Sequence, residues 1–310
     1  MNKTIIDPVD TALIENELRQ PGRFLRATNK GGNEIYVVTA ADSPNTMREI
    51  GRLREISFRS AGGGTGKDCD IDRYDIMEPP CRQLIVWSPE ERQILGGYRF
   101  ICGADVAVEP DGTPRIATGH MFRFSGRFMS EYMPHTIELG RSFVRPDYQS
   151  SRAGAKAIYV LDNLWDGLGS LTVLHPEIKY LFGKVTMYPG YIPGCRDMIL
   201  FFLHKYFPDP DELIRPIIPL KTDIDTEQMN SIFTGGSFKA DYRILNKAIH
   251  AHGITIPPLV NAYMSLSPTM KMFGTAINDE FGDVEETGIL VTIDDIFEEK
   301  KERHINSYHP

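Results

Sequence analysis

Residues 137–155 read IELGRSFVRPDYQSSRAGA. The stretch begins as a strand that ends at Val144, turns at residues 145–147, and enters a helix near Ala153. At such a junction the backbone N–H groups of the first helical turn point outward together, and with the helix dipole they suit an anion such as phosphate. The sequence therefore predicts either an anion site at this turn or an ordinary strand–turn–helix with a solvated basic rim. Four cations lie in or beside the stretch against two acids: Arg141, Arg145, Arg152 and Lys156 against Glu138 and Asp147.

The segments on either side predict an α/β (α+β) fold in which a mixed central sheet is flanked by helices. Residues 34–39 alternate between apolar and polar and predict a strand. Ser43 and Pro44 then open a helix, whose apolar residues recur at three-residue spacing and give it one buried face. Further strands are predicted at 83–87, 93–101, 137–144, 180–187 and 287–293, further helices at 10–18, 153–167, 194–207 and 241–252, and a charged tail at 298–303.

The domain organisation is predicted from a change in composition near residues 209–237, where prolines and paired glycines are frequent. We expect an N-terminal segment over 1–30, a core over 31–208, and a C-terminal part over 209–310. That last part would complete the sheet or pack on the core.

The bulk composition excludes several classes of protein. A formal net charge of −8 makes the protein as a whole repel nucleic acid and anionic lipid headgroups. The first ten residues lack the basic start and apolar run of a signal peptide. No run approaches the roughly 20 apolar residues that a membrane span requires. Since the four cysteines also show no metal-ligand spacing, we expect a reduced, cytoplasmic protein.

Two further motifs resemble ligand sites and are rejected on their chemistry. Residues 62–67 (GGGTGK) resemble a phosphate loop, but Asp68 stands where such a loop needs Ser or Thr, and the motif follows a helix rather than a strand. We interpret it as a mobile loop on the substrate side. His250 and His252 form too short a pair for a metal site without a further ligand, so no metal is predicted.

The motif ELGR (138–141), followed by RPDY (145–148), resembles the fourth strand and phosphate-binding turn of GNAT acyltransferases. More narrowly it is similar to the bacterial N-acyltransferases that make ornithine and glycine lipids, and to the acyl-homoserine-lactone synthases. The resemblance implies a GNAT-like fold with a C-terminal extension. The family's turn pattern, Gln/Arg-x-x-Gly-x-Gly/Ala, falls on residues 149–154, where Arg152 replaces the first glycine. An added cation there is compatible with a phosphopantetheine phosphate or an acidic carrier protein.

Four short sequence motifs that are typical of the acyl-homoserine-lactone synthases occur in this chain in the same order as in that family. The resemblance extends over roughly residues 48–296, but a tryptophan usual in the synthases is missing, which argues against S-adenosylmethionine as the acceptor. Through these elements the resemblance implies substrate-binding roles for five residues and catalytic roles for two: Arg54, Phe58, Asp72, Asp75 and Arg99 in the first group, Glu138 and Arg141 in the second.

The implied reaction, transfer of an acyl group from a thioester to an amine, suggests a chemical role for each of these residue types. An ammonium ion must lose a proton before its nitrogen can attack a thioester, and Glu138 is the candidate general base. The alternative is that Glu138 only pairs with Arg141 or Arg99. Because side chains alternate along a strand, Glu138 and Arg141 lie on opposite faces unless a bulge intervenes. Asp72 and Asp75 would bind the acceptor ammonium, or form an ion-pair network with the arginines.

On the donor side, the resemblance implies a site for phosphopantetheine and its carrier protein at Phe143, Val144, Arg145, Gln149, Arg152, Ala153, Gly154 and Lys156. No permanently bound cofactor is expected, and acyl-ACP or acyl-CoA would be the co-substrate. The expected partners are acyl carrier protein (ACP) and a small amino acid, glycine or ornithine, with transient membrane contact because the product would be a lipid precursor.

Three hypotheses for function remain open. The first is transfer of a 3-hydroxyacyl group from ACP to the amino acid. The second is an acyl- or acetyl-CoA-dependent GNAT enzyme that acts on another amine. The third is a binding module for ACP or lipid without catalytic activity.

Overall fold

The computed structural model describes residues 2–148 and 155–309, and of residues 155–158 it describes the backbone alone. Its strands are β1 (Phe24–Ala27), β2 (Glu34–Val38), β3 (Arg82–Ser88), β4 (Gln93–Cys102), β5 (Phe122–Phe124), β6 (Thr136–Val144), β7 (Tyr180–Met187), β8 (Ile214–Pro216), β9 (Lys271–Asn278) and β10 (Val284–Thr292). Its α-helices are α1 (Thr11–Leu18), α2 (Pro44–Ser60), α3 (Arg73–Ile76), α4 (Ala155–Leu174), α5 (Pro193–Tyr206), α6 (Thr226–Ile232), α7 (Phe238–Ala251), α8 (Pro258–Met264) and α9 (Glu298–His304).

Eight strands form one mixed sheet in the order β1-β2-β3-β4-β6-β7-β10-β9, and β5 and β8 form a separate pair. Every neighbouring pair in the large sheet is antiparallel except β6 and β7, which are parallel. The parallel ladder has three rungs and ends at Glu138 and Phe182, so the two strands diverge towards their carboxyl ends. The predicted mixed sheet flanked by helices is confirmed.

Most predicted elements occur where they were expected. The helix predicted at 153–167 runs on to Leu174, and its first two predicted residues lie outside the described ranges. The interpretation of residues 298–303 as a charged tail was wrong, since they form most of α9. The short strand β1 and the edge strand β9 were not predicted. Gly274, with φ of 87°, interrupts the apolar alternation of β9 and hides the strand in the sequence.

The sheet separates two layers of apolar packing. On one face, α4, α5, α7 and α8 cover the largest cluster of buried side chains. On the other face, α1 and α2 cover a second cluster, while β5, β8 and the residues around Phe128 cover a third. The polar residues described below lie on this second face, between its two apolar clusters. No helix in the described ranges is long and apolar enough to cross a bilayer.

Helix α2 brings the segment that carries three aspartates against the sheet. Pro44 occupies its first turn, and Met47, Ile50 and Leu53 are buried against the strands, as the sequence predicted. A Cβ at Gly51 would lie 2.6 Å from the Cys69 sulfur, so only glycine lets residues 69–71 approach this closely. The aspartates at 70, 72 and 75 therefore lie beside the helix that carries Arg54.

Candidate active site

A row of polar side chains crosses the second face of the sheet. Gln83, Arg99, Glu138, Lys184 and Glu286 lie on five neighbouring strands, β3, β4, β6, β7 and β10. On β4 and β6 the residues on either side of Arg99 and Glu138 belong to the apolar cluster on the opposite face, as strand alternation requires. Each of the five side chains is at least nine-tenths buried. Burial of so many charges is costly unless they are paired, which makes this row a functional-site candidate.

Glu138 lies at the centre of the row, with 5% of its surface exposed. Its Oε1 accepts hydrogen bonds from the Thr118 backbone N–H (3.1 Å) and hydroxyl (2.9 Å). Its other oxygen, Oε2, has no hydrogen-bond partner among the described residues. Burial raises the pKa of this carboxyl, although Arg99, Thr118 and Lys184 oppose the rise. A carboxylate with a raised pKa and one open oxygen is suited to accept a proton.

Arg141 reaches the same face as Glu138 because β6 contains a bulge. Gly97 pairs with Phe143 and Arg99 with Gly140, so one residue of β4 lies opposite two residues of β6. Arg141 itself adopts a φ of 47°, in the left-handed region that non-glycine residues rarely occupy. The condition set by the sequence pattern, a bulge between positions 138 and 141, is met.

Three arginines are matched by three aspartates beside this row. Arg54 is fully buried and its Nη1 lies 3.2 Å from both oxygens of Asp75. Arg99 donates to both oxygens of Asp72, at 2.7 and 2.8 Å. Arg141 forms ion pairs with Asp70 (2.9 Å) and Asp72 (3.4 Å). The aspartates at 72 and 75 therefore form the predicted ion-pair network, and direct contact with a substrate stays a prediction.

Local structure fixes the two central aspartates. Asp72 caps α3 by accepting from the Tyr74 N–H, while Asp75 accepts from the Asp72 N–H, in a capping box. Burial opposes the ionisation of Asp72, but Arg99 and Arg141 outweigh it and hold the pKa of this carboxyl well below its usual range. Both groups therefore remain charged and hold the arginines in place.

Lys184 and Glu286 form a further buried ion pair, on β7 and β10, with Nζ 2.7 Å from Oε1. Glu286 also accepts from the Thr186 hydroxyl and the Asn278 amide. Burial lowers the pKa of Lys184, and Glu286 opposes that change. The charges of Arg141 and Glu138 also act on this lysine, so it belongs to the same electrostatic unit.

Phe58 lies at the edge of the site rather than among its charges. Its ring packs edge-on against Phe281, with ring centroids 4.9 Å apart, and the Arg141 guanidinium lies 4.3 Å from the centroid of the Phe281 ring. Phe58 is 7% exposed and belongs to the cluster under α2. The implied substrate contact of Phe58 stays a prediction.

The loop over residues 61–67 is anchored to α2. The Glu55 carboxylate accepts from the Thr65 N–H (3.2 Å), the Thr65 hydroxyl (2.7 Å) and the Gly66 N–H (2.8 Å). It also accepts from Arg59 at 2.6 Å. A side-chain carboxylate thus occupies the donors that a phosphate loop would offer to its ligand. The contacts support rejection of the phosphate-loop motif, and they tie the loop down rather than leave it free.

The predicted donor residues are only partly within the described ranges. Phe143 is buried under α2, and Val144 packs against the cluster on the opposite face. Arg145 donates to both oxygens of Asp147 (3.0 and 2.7 Å) and to Gln93 (2.6 Å), so its guanidinium is held by neighbours in the turn. The remaining predicted residues lie outside what the structure describes: Gln149, Arg152, Ala153, Gly154 and the side chain of Lys156.

The ladder between β6 and β7 ends beside Glu138, and the two strands are still close together at the next residue. A Cβ at Gly183, the first residue of β7 past the ladder, would lie 3.1 Å from the Leu139 carbonyl oxygen. A small apolar cavity follows on the opposite face, between these strands and the helices α4 and α8. Its lining includes Leu139, Trp165, Gly183, Tyr263 and Leu266.

The cysteines and potential metal ligands contribute little to this site. All four cysteines are free, and burial raises the pKa of Cys69 to about 11 and of Cys81 to about 12. A neutral thiol is a weak nucleophile. Within the described ranges, no three His, Cys, Asp or Glu side chains are grouped to hold a metal ion.

Comparison with known proteins places this geometry in a family. A family model described as an acetyltransferase (GNAT) domain matches residues 53–158. The chain is 58% identical over 309 residues to the glycine N(alpha)-acyltransferase of Phocaeicola vulgatus, covering 99% of this chain and 94% of the relative. It is 59% identical over 309 residues to the protein of the same name from Bacteroides thetaiotaomicron, covering 99% and 91%. The chain belongs to this family of GNAT N-acyltransferases.

Other similarities are weaker. The L-ornithine N(alpha)-acyltransferase of Brucella abortus is 25% identical over 226 residues, covering 71% of this chain and 69% of the relative. A solved CoA-dependent acyl-homoserine lactone synthase, with SAM and isopentyl-CoA, is 16% identical. Its TM-score is 0.29, and the match covers 54% of this chain and 72% of that one. The predicted α/β GNAT fold and the predicted acyltransferase class are confirmed by the family match.

Five members of this site were not singled out from the sequence: Asp70, Gln83, Thr118, Lys184 and Glu286. A signal existed for Lys184, which is the one charged residue in the strand predicted at 180–187, whereas Glu286 precedes the strand predicted at 287–293. Thr118 lies in an irregular segment twenty residues before Glu138, and no local pattern predicts that contact.

Proposed function

We propose that this GNAT acyltransferase moves a fatty acyl group from the phosphopantetheine thioester of ACP to the amino group of glycine. The names of the two relatives at 58% and 59% identity support glycine as the acceptor, because both alignments cover nearly the whole of each chain. Ornithine is the second candidate acceptor, since it is named in the relative at 25% identity. The product, an N-acyl amino acid, would be a precursor of an amino-acid lipid.

One observation carries the proposal: the ladder between the parallel strands β6 and β7 ends beside a buried carboxyl with a raised pKa. Beyond the last rung, their facing edges do not pair with each other. A pantetheine arm is extended and carries amide groups, so it can lie between two separated strands and bond to both. A thioester delivered along this opening would reach the face that carries Glu138.

Glu138 would act as the general base. The acceptor arrives as an ammonium ion, and Oε2 of Glu138 takes one proton from it, directly or through one water. The neutral nitrogen then bonds to the thioester carbonyl carbon, and the carbon–sulfur bond breaks. The nitrogen loses its second hydrogen as the amide forms, and the leaving thiolate is protonated to a thiol. One proton is released to solvent overall.

The bulge at Arg141 would stabilise the tetrahedral intermediate. Regular pairing with β4 is interrupted at residues 141 and 142, and a backbone N–H group freed there would be available to the thioester oxygen. Such donors stabilise negative charge that develops on the carbonyl oxygen. The paired arginines and aspartates would hold the acceptor side rigid, because each charge is fixed by at least one opposite charge.

The acyl chain would extend into the apolar cavity between the diverging strands and the helices α4 and α8. The cavity lining is dominated by apolar side chains, but the cavity has room for at most about one water molecule, so the strands and helices would have to move apart to admit a hydrocarbon chain. Whether the chain carries a 3-hydroxyl group, as the resemblance implies, would be decided at this cavity.

The purified full-length chain tests the proposal directly. It is incubated with acyl-ACP or acyl-CoA, as 3-hydroxyacyl and unsubstituted thioesters, and with glycine, alanine or ornithine, and products are identified by mass. We expect N-acylglycine as the main product and faster transfer from ACP than from CoA. Faster transfer from CoA, or a preference for another amine, would overturn the donor or the acceptor assignment. No transfer to any amine would favour a binding module instead.

A further inference from the structure

Helix α7 presents a row of cations to solvent. Lys239, Arg243 and Lys247 recur at four-residue spacing, which places them on one face of the helix, and all three are exposed. Leu245 and Ile249 are buried on the opposite face. The row extends over about 12 Å, from eight residues at about 1.5 Å each. Helix α7 lies outside the region that matches the GNAT domain model, so the general chemistry of that domain does not explain it.

These three cations have no charged partner among the residues that the structure describes. None of them forms an ion pair or a side-chain hydrogen bond with any residue in the described ranges, whereas many other arginines of the chain do. The one acid of the helix, Asp241, is 2% exposed and accepts from the Tyr206 hydroxyl and the Gly235 N–H. In a chain with a net charge of −8, this face is a local reversal of sign.

Helix α7 lies along α5, and this position directs the row of cations towards the proposed entry of the acyl donor. The helix packs antiparallel to α5, with Tyr206 on Asp241 at one end, while Tyr191, just before α5, donates to the Thr255 carbonyl at the other. Helix α5 follows β7, so its first turn lies at the carboxyl end of that strand. The row therefore leads towards the end of the sheet where β6 and β7 are separated.

We propose that this face of α7 docks an acidic helix of the carrier protein that delivers the acyl thioester. The inference rests on the proposed function, since it assumes a carrier-bound donor. Charge complementarity favours this partner, because carboxylates spaced along a helix can meet cations spaced at four residues. Ile244, at 42% exposure, borders the row and supplies an apolar contact. A narrow row with one apolar residue beside it fits a helix better than a bilayer surface.

The test compares two donors that share the same reactive thioester. Acyl-ACP presents a protein surface, whereas acyl-pantetheine does not. We expect the triple variant K239E/R243E/K247E to lose at least about tenfold in kcat/KM with acyl-ACP, mainly through KM, and to match wild type with acyl-pantetheine. Added salt should raise the KM of wild type for acyl-ACP and change that of the variant less. The triple variant K3E/K30E/K221E, which makes the same charge change at exposed lysines elsewhere, should match wild type.

Several outcomes would overturn the inference, and they differ from failure of the proposed function. Equal kcat/KM of wild type and the α7 variant with acyl-ACP would leave the proposed function standing and remove this docking face. Equal losses with both donors would also remove it, because the row would then act in folding or catalysis. Loss of binding to anionic lipid vesicles with unchanged acyl-ACP kinetics would assign the row to a membrane. Wild type unable to use acyl-ACP would overturn the proposed donor itself. If the charge-reversed chain does not fold, the neutral variant K239Q/R243Q/K247Q replaces it, with a smaller loss expected.

Discussion

Two opposing effects set the pKa of the Glu138 carboxyl group. Burial disfavours its charged form and raises its pKa, while the two Thr118 donors and the charge of Arg99 favour the charged form. The balance leaves a base stronger than an exposed glutamate, held in one orientation by Thr118. The sequence motif located this residue, but it gave no information on its burial or its partner.

Replacement of Thr118 by valine tests how this balance is set. Valine keeps the backbone N–H but removes the hydroxyl donor, so it removes one interaction that lowers the pKa of Glu138. Because the base must be deprotonated, activity rises as pH rises through that pKa. We expect the acid limb of kcat against pH, measured at saturating acceptor, to move to higher pH in T118V. A limb that stays in place or moves to lower pH would contradict the assignment.

The fully buried pair of Arg54 and Asp75 makes a prediction about stability. Asp75→Asn removes the negative charge and leaves the Arg54 guanidinium buried without its counter-charge. We expect a loss of about 3–5 kcal/mol in the free energy of unfolding, measured by urea denaturation. Asp105→Asn is the matched control, since Asp105 is 44% exposed and its partner Arg82 is 3.6 Å away. That change should cost less than about 1 kcal/mol. Equal losses in the two variants would contradict the account.

At the scale of elements, the divergence of β6 and β7 decides what the site can hold. Leu266 lines the apolar cavity beyond it and is 5% exposed. Leu266→Trp should fill this space, and we expect kcat/KM to fall about tenfold for long-chain donors while short-chain donors are little affected. Leu174→Trp, at a position 41% exposed on α4, is the control and should leave both rates unchanged. Equal effects on long and short chains would place the acyl chain elsewhere.

Helices and strands that depend on local sequence patterns were predicted, whereas those that depend on contacts with distant residues were not. Helix α2 was predicted well because the proline in its first turn and its apolar spacing are local signals, although Ser43 makes no capping hydrogen bond and donates to Asp42 instead. The position of Arg141 was predicted only conditionally, since a bulge depends on the register with a neighbouring strand. The edge strand β9 was missed because a glycine with positive φ breaks its alternation. Helix α9 was missed because its sequence, EEKKERH, lacks an apolar face and is held by contacts made far away in the chain.

At the scale of the whole molecule, the C-terminal part is joined to the core by the sheet itself. Strand β10 pairs with β7 over eight residues, and β9 pairs with β10. The sequence predicted that residues 209–310 either complete the sheet or pack on the core, and the division after residue 208 stays a prediction. Pairing between strands a hundred residues apart cannot be derived from local patterns, so the choice between the two was left open.

A truncated chain tests this connection. A chain ending at Pro208 would expose the edge of β7 and lose 13 of the 37 buried residues of the largest apolar cluster, because α7, α8 and β10 would be lost. We expect it to show no cooperative urea transition by circular dichroism, whereas the full chain unfolds in one step. Removal of residues 309 and 310 alone should preserve the transition. A stably folded 1–208 chain would contradict the account.

The most direct measurement of the central claim is the single-turnover rate of Glu138→Gln with a bound acyl thioester and glycine. Glutamine keeps the shape and can still accept from Thr118, but it cannot take a proton. We predict a rate about 10²–10⁴ times lower than wild type, with donor affinity and thermal stability unchanged. A rate within a few-fold of wild type would contradict the role of this carboxylate as the base.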